Sequence, residues 1–135
     1  MAIQLSTGVR NARLDAIEST IGTSAVLKIR TGSAPANVAT ADSGTVLATC
    51  TLPSDWMAAA SSGAKAKSGT WEDTSADATG TAAHFRIYAS DGITTHMQGT
   101  VTATGGGGDL TVDNTSFASG QAFTITSFTL TEGGA

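Results

Sequence analysis

Few side chains in this sequence could do chemistry, and they are widely spaced. Cys50 is the one cysteine and His84 and His96 are the two histidines. Cys50 lies in TVLATCTL (45–52), where a period of two groups it with Val46, Ala48 and Leu52. It is therefore expected as a small core hydrophobe, not an activated nucleophile. His84 and His96 fall opposite the apolar positions of AAHFRIYA (82–89) and ITTHMQGTVTA (93–103), so solvent is their expected place. No Gly-x-Ser-x-Gly elbow accompanies them, which leaves acyl transfer without a constellation. Glu72, Asp73 and Asp77, or Asp109 and Asp113, could ligate calcium. Neither set alternates as a rigid calcium loop must, and both read as solvated loops. GGGG (105–108) lacks the Lys-Ser/Thr and the helix that a phosphate cradle needs, and reads as a hairpin linker. The sequence thus predicts no catalytic residue, no metal and no cofactor.

Composition points the same way. Thr, Ala, Gly and Ser supply 76 of the 135 residues, while 13% are charged and 40% apolar. That is a small-side-chain, β-rich composition with enough apolar content to fold. The net charge is −4, and the seven basic residues, Arg10 to Arg86, are scattered, which argues against nucleic acid as a partner. There is no long apolar run to cross a membrane. The opening MAIQLSTGVRNARLD lacks the cationic head, apolar middle and small-residue cleavage site of a secretion signal, and the single Cys50, which leaves no internal disulfide framework, fits synthesis in a reducing cytoplasm.

The elements that would carry these residues read as follows. Residues 1–7 form an extended arm in which Ile3 and Leu5 alternate. A helix is expected from a Ser6 or Thr7 cap to Gly22, with Leu14, Ile17 and Ile21 on one arc and Val9, Ala12 and Ala16 round the other side. From Ser24 the period falls to two. Strands are expected over 24–31, 45–52, 64–71, 82–89, 93–103 and two more after the glycine run, with a short helical turn capped by Ser54 at 53–63. The predicted fold class is all-β: an antiparallel β-sandwich or jelly roll of seven to eight strands, with an arm and helix (1–22) preceding a β domain (23–135).

Two details test this reading. Matching the apolar faces of 82–89 and 93–103 places Ala89 opposite Ile93 and leaves Ser90-Asp91-Gly92 as a three-residue loop, with Gly92 left-handed. In FTITSFTLT (123–131), Phe123 and Ile125 are odd but Phe128 and Leu130 are even. A strand that changes parity turns its apolar face over, so a bulge or bend is expected at Thr126-Ser127.

Without catalytic groups, adhesion is the remaining chemistry. The candidate contact residues are Ile3, Leu5, Val9, Leu14 and Ile17 on the arm and helix, with Trp56 and Met57 as a second patch. Trp71 is expected in the core and Trp56 as a cap or interface anchor. Two Trp and one Tyr would be a thin supply for a sugar-binding platform.

The segments VLKIRTGSAPAN, GTVLATCTLPSDWMAAA, GTWEDTSADATGTAAHFRIYASDG, HMQGTVTATGGGGDLTVDN and SFASGQAFTITSFTLTE, with NARLDAIESTIGTS before them, resemble the small decoration or cement proteins of tailed bacteriophage capsids. The likeness lies in segment order, small-residue style and turn placement. It implies a jelly-roll or sandwich protein that forms homo-dimers or homo-trimers and binds the outer surface of an HK97-like major capsid protein shell, in the virion. It implies no enzyme activity. The alternative is a carbohydrate-binding module of a phage tail or fibre.

Overall fold

The computed structural model describes residues 3–134; the first two positions of the arm and Ala135 lie outside them. One helix, α1 (Thr7–Ile21), precedes eleven short strands: β1 (Val26–Arg30), β2 (Val46–Thr51), β3 (Ala64–Ala66), β4 (Trp71–Asp73), β5 (Gly80–Thr81), β6 (His84–Tyr88), β7 (Thr95–Ala103), β8 (Leu110–Val112), β9 (Ser116–Phe117), β10 (Phe123–Ile125) and β11 (Thr129–Thr131). The chain is mostly β with one helix, so all-β overstates it, and the strands are more numerous and shorter than the seven or eight expected. The helix bounds are the expected ones. Ser6 accepts from the Val9 amide at 3.3 Å, and Gly22 (φ +94) closes the other end.

A curled five-stranded sheet in the order β2-β1-β6-β7-β8 forms the frame, with the ladders β4–β10, β3–β11 and β5–β9 beside it. Its strands are antiparallel except β7 and β8, which run parallel with Val101 against Leu110. The glycine run is thus a fold-back and not a hairpin linker. Thr102 lies against it: its hydroxyl accepts from Gly108 N at 3.0 Å, and a Cβ at Gly106 or Gly108 would stand 2.8 Å from Thr102 atoms. Side chains there would push the return path off the strand.

The β6–β7 hairpin keeps the expected parity but not the expected register. Phe85 faces Gly99 and Ile87 faces Met97, and a bulge between Ile87 and Tyr88 takes up the difference. Ala89 N donates to Thr94 O at 2.9 Å, so the loop has four residues, Ser90 to Ile93. Gly92 is left-handed as expected (φ +68). Asp91 holds the loop by accepting from the amides of Ile93 and Thr94 and from the Thr94 hydroxyl. The Thr94 hydroxyl, then the two amides, lower the Asp91 carboxyl to about 2.

The parity change also has a structural counterpart. β10 pairs with β4 and β11 pairs with β3, so the strand leaves one ladder and enters another between residues 125 and 129. Ile125 and Phe128, on opposite parities, are both buried. Phe128 touches Trp71 at a ring separation of 5.6 Å and Phe85 at 5.7 Å, and Trp71 continues to Trp56 at 6.0 Å. This aromatic row ties the side ladders to the main sheet. The expected turn of helix at 53–63 is absent. That segment runs as an irregular stretch with a Met57–Lys67 bridge, because the amides of Met57, Ala60 and Gly63 are taken by side chains of α1 and those of Ala58 and Ser61 by the carbonyls of Ala66 and Ala64.

Phe128→Ala is expected to cost about 3–5 kcal/mol, the usual penalty for emptying a buried aromatic site. Phe123→Ala, at a half-buried position, is expected to cost less than half as much, and urea unfolding midpoints compare the two.

Candidate functional site

The arm and α1 form the candidate contact region, and their residues divide by burial. Ile3 is 84% exposed and Val9 46% exposed, while Leu5 and Ile17 are half-buried. Leu14, Trp56 and Met57 are buried in the chain's own core, which assigns their apolar surface to folding. The arm is tied to the far end of the chain, where Leu5 N donates to Gly134 O.

Sequence reasoning missed what docks the helix. Beside the apolar arc of Leu14, Ile17 and Ile21 runs a polar stripe, Asn11, Asp15 and Glu18, at the i, i+4, i+7 spacing of one helix face. Each member accepts from the backbone of the irregular segment: Gly63 N donates to Asn11 Oδ1 at 2.9 Å, Ala60 N to Asp15 Oδ1 at 2.9 Å, and Met57 N to Glu18 Oε1 at 3.1 Å. Trp56 Nε1 closes the row on Gly22 O at 2.9 Å. Between the two carboxylates lies Lys65, whose side chain is 2% exposed. Its Nζ reaches Asp15 at 2.7 Å, Glu18 at 2.9 Å and Ala58 O at 2.9 Å, which uses all three of its donors. The spacing of the polar stripe was present in the sequence. Its target was not, because the amides of 57–63 are displayed only by a segment that has no regular structure of its own.

A second polar cluster covers the other face of the main sheet. The loop 32–44 folds over β1 and β6, and Asp42 receives Arg30 Nη2 at 2.8 Å, Arg86 Nη1 at 2.8 Å and the Tyr88 hydroxyl at 2.9 Å. Arg86, 1% exposed, also donates to Gln98 Oε1 and Asn37 O. Burial pushes the Asp42 carboxyl up, but hydrogen bonds from Tyr88 and Arg86 and the charges of Arg30 and Arg86 outweigh it, so it sits below the usual range. Tyr88 is raised, by burial first and by its bond to Asp42.

This cover also corrects the placement of His84, which is fully buried and not in solvent. Its Nδ1 lies 2.6 Å from Gly32 O, and since a carbonyl can only accept, Nδ1 carries the proton. His96 is exposed, as expected. Cys50 is buried, and burial followed by Asp73, Asp77 and Glu72 raises its thiol to about 12, so it is a thiol at neutral pH. Two of those acids act as local acceptors, Asp73 for the Thr49 amide and Asp77 for the Thr49 hydroxyl. Asp109 similarly takes the Thr100 amide and hydroxyl. Among the described residues, no group of three or more His, Cys, Asp or Glu could hold a metal ion. No helix among them is long and apolar enough to cross a membrane.

Two of the surface grooves exceed 500 Å³. One of about 540 Å³ runs beside α1, with Asp15, Glu18, Asp55 and Met57 on its walls and Lys65 below. The other, about 520 Å³, lies between β7 and β11 over Phe85, Met97, Phe128 and Leu130. Lys65 has no donor left for a ligand in the first, and the second mixes those apolar side chains with Gln98, Asp109, Thr129 and Thr131. Comparison with protein-family models, curated proteins and solved structures finds no match to this chain.

The docking charges set a pH dependence. The hydrogen bond from Lys65, then that from the Ala60 amide, lowers the Asp15 carboxyl. That stabilisation is present above the unfolded carboxylate pKa of about 4 and is lost as pH falls through the folded value. Burial presses the Lys65 ammonium down, but its bonds to Asp15 and Glu18 outweigh this and the net shift is upward. Its contribution is complete below the unfolded pKa of about 10.4 and disappears as pH rises through the folded value. Melting temperature should plateau between these limits and fall at both ends, with Lys65→Met removing this part of the alkaline fall. Asp42→Asn leaves two buried guanidinium groups without their carboxylate. Asp42 is itself 38% exposed, so the expected loss is about 2–3 kcal/mol, below the roughly 3–5 kcal/mol of a fully buried pair, as read from urea unfolding.

Proposed function

We propose that this chain is a structural virion protein that binds the outer surface of a bacteriophage capsid and cements or decorates neighbouring capsomers. Its partners in this reading are the major capsid protein and other copies of itself, as a homo-dimer or homo-trimer. It is made in the host bacterial cytoplasm and carried on the capsid exterior. In the same reading the body is a β-sandwich or jelly roll, the curled sheet forming one layer and the three short ladders contributing to the other.

The observation that carries the reading is the display of apolar side chains on the leading segment. Ile3 and Val9 stand in solvent, Val9 on a helix docked by Lys65 and the 57–63 amides and Ile3 on an arm tied through Leu5 N to Gly134 O. Burying two aliphatic side chains is worth about 1.5–3 kcal/mol each. That is weak for one contact but sufficient when a lattice holds many copies at high effective concentration. Pre-docking of the helix reduces the ordering cost on binding. The resemblance to decoration proteins adds support in segment order and style. The carbohydrate-binding alternative loses its platform, since Trp56 and Trp71 are both fully buried.

Removing residues 1–21 would strip Lys65 of both carboxylates, so truncation is a poor test. The better one is the full chain with Ile3→Asp and Val9→Asp, co-sedimented with expanded capsid shells of the virus that encodes it. Native protein is expected to occupy the shells. The double variant should keep its melting temperature and bind at least roughly tenfold more weakly, as expected from losing two such contacts. Shells that sediment bare with native protein would refute the reading.

A further inference from the structure

We propose that the arm and α1 exchange between two copies of this chain, each helix docking on the other copy's β3 and 57–63 segment. The basis is the link that folds the helix back. Gly22 O is held by Trp56 Nε1 at 2.9 Å, and Ala25 is fixed in the body, buried and accepting from Leu52 N at 2.9 Å. Only Thr23 and Ser24 lie between, and Ser24 takes φ +52, the left-handed region that a residue with a Cβ rarely enters. The strain arises from turning the chain back within two residues. A chain that runs straight on toward a neighbour has no need of it, and short strained hinges of this kind favour exchange.

The interface is suited to exchange. It is built of directional contacts from Asn11, Asp15 and Glu18 with the buried Leu14 and Ile21, and none depends on which copy supplies the helix. Exchange leaves every docking contact in place and relaxes both hinges, and what opposes it is the entropy of association. High copy density lowers that opposition.

Two measurements test this on purified full-length protein, independently of any capsid, so failure here and failure of the capsid reading are separable. In the first, Ser24→Gly, which accepts φ +52 freely, and Ser24→Val, which does not, are compared with the native chain by analytical ultracentrifugation. The dimer fraction should fall for Ser24→Gly, on the order of tenfold, the equivalent of relieving one strained residue, and should rise for Ser24→Val. An unchanged fraction in both would overturn the proposal. In the second, a chain carrying Lys65→Glu is mixed with one carrying Asp15→Lys and Glu18→Lys. Exchange matches native helix to native body and reversed helix to reversed body only in the mixed dimer. Native mass spectrometry of an equimolar mixture should then show heterodimer well beyond the twofold excess over each homodimer that random pairing gives. A 1:2:1 ratio of the three dimers, or no dimer at all, would sink it.

Discussion

The ammonium of Lys65 sits inside the molecule, and both carboxylates that reach it come from α1. An unpaired buried charge costs several kcal/mol, so the body and the helix cannot be stable in their present forms without each other. Much of the arrangement follows from this constraint. Asp15 and Glu18 must face inward, which draws the amides of Met57 and Ala60 onto the same side chains and keeps 57–63 out of a helix. With that segment pulled to α1, Trp56 and Met57 turn into the core, and Trp56 begins the aromatic row that runs through Trp71 and Phe128 to Phe85.

The same logic recurs on the far face of the sheet with the signs exchanged. There Asp42 is the single carboxylate for two buried arginines, and the loop 32–44 is pinned by it as the 57–63 segment is pinned by α1. A chain so rich in Thr, Ala, Gly and Ser has few large apolar side chains with which to hold loops down. Charged hydrogen bonds, each stronger than a neutral one, do that work here. The result is a body covered on both faces, with the exposed apolar side chains of the leading segment, Ile3 and Val9, left at its surface. A capsid-binding role asks for such a division between a rigid scaffold and a small adhesive edge.

Local signals in the sequence were sound at several points where one residue's backbone preference decides, although Ser54 caps no helical turn. Ser6 and Gly22 bound the helix, Gly92 marks its turn, and the parity change in FTITSFTLT marks a true change of partner strand. These read out from neighbouring residues because caps, left-handed glycines and the two-residue period are local physics. Strand count and register were less legible. The bulge between Ile87 and Tyr88 and the parallel fold-back of β8 both satisfy the apolar pattern, so the pattern could not choose among them.

What sequence alone determined about this protein is a β-rich body of small residues, one helix of known limits before it, and apolar positions on the leading segment and at Trp56-Met57. What only the tertiary structure decided is which of those positions remain available: Leu14, Trp56 and Met57 are taken by the core, and Ile3 and Val9 are not. It also decided that His84, Arg86 and Lys65 lie inside. The physical reason is that burial of a polar side chain depends on a partner supplied from far along the chain. Asp42 for Arg86 and Asp15 for Lys65 are such partners, and no local periodicity encodes those meetings.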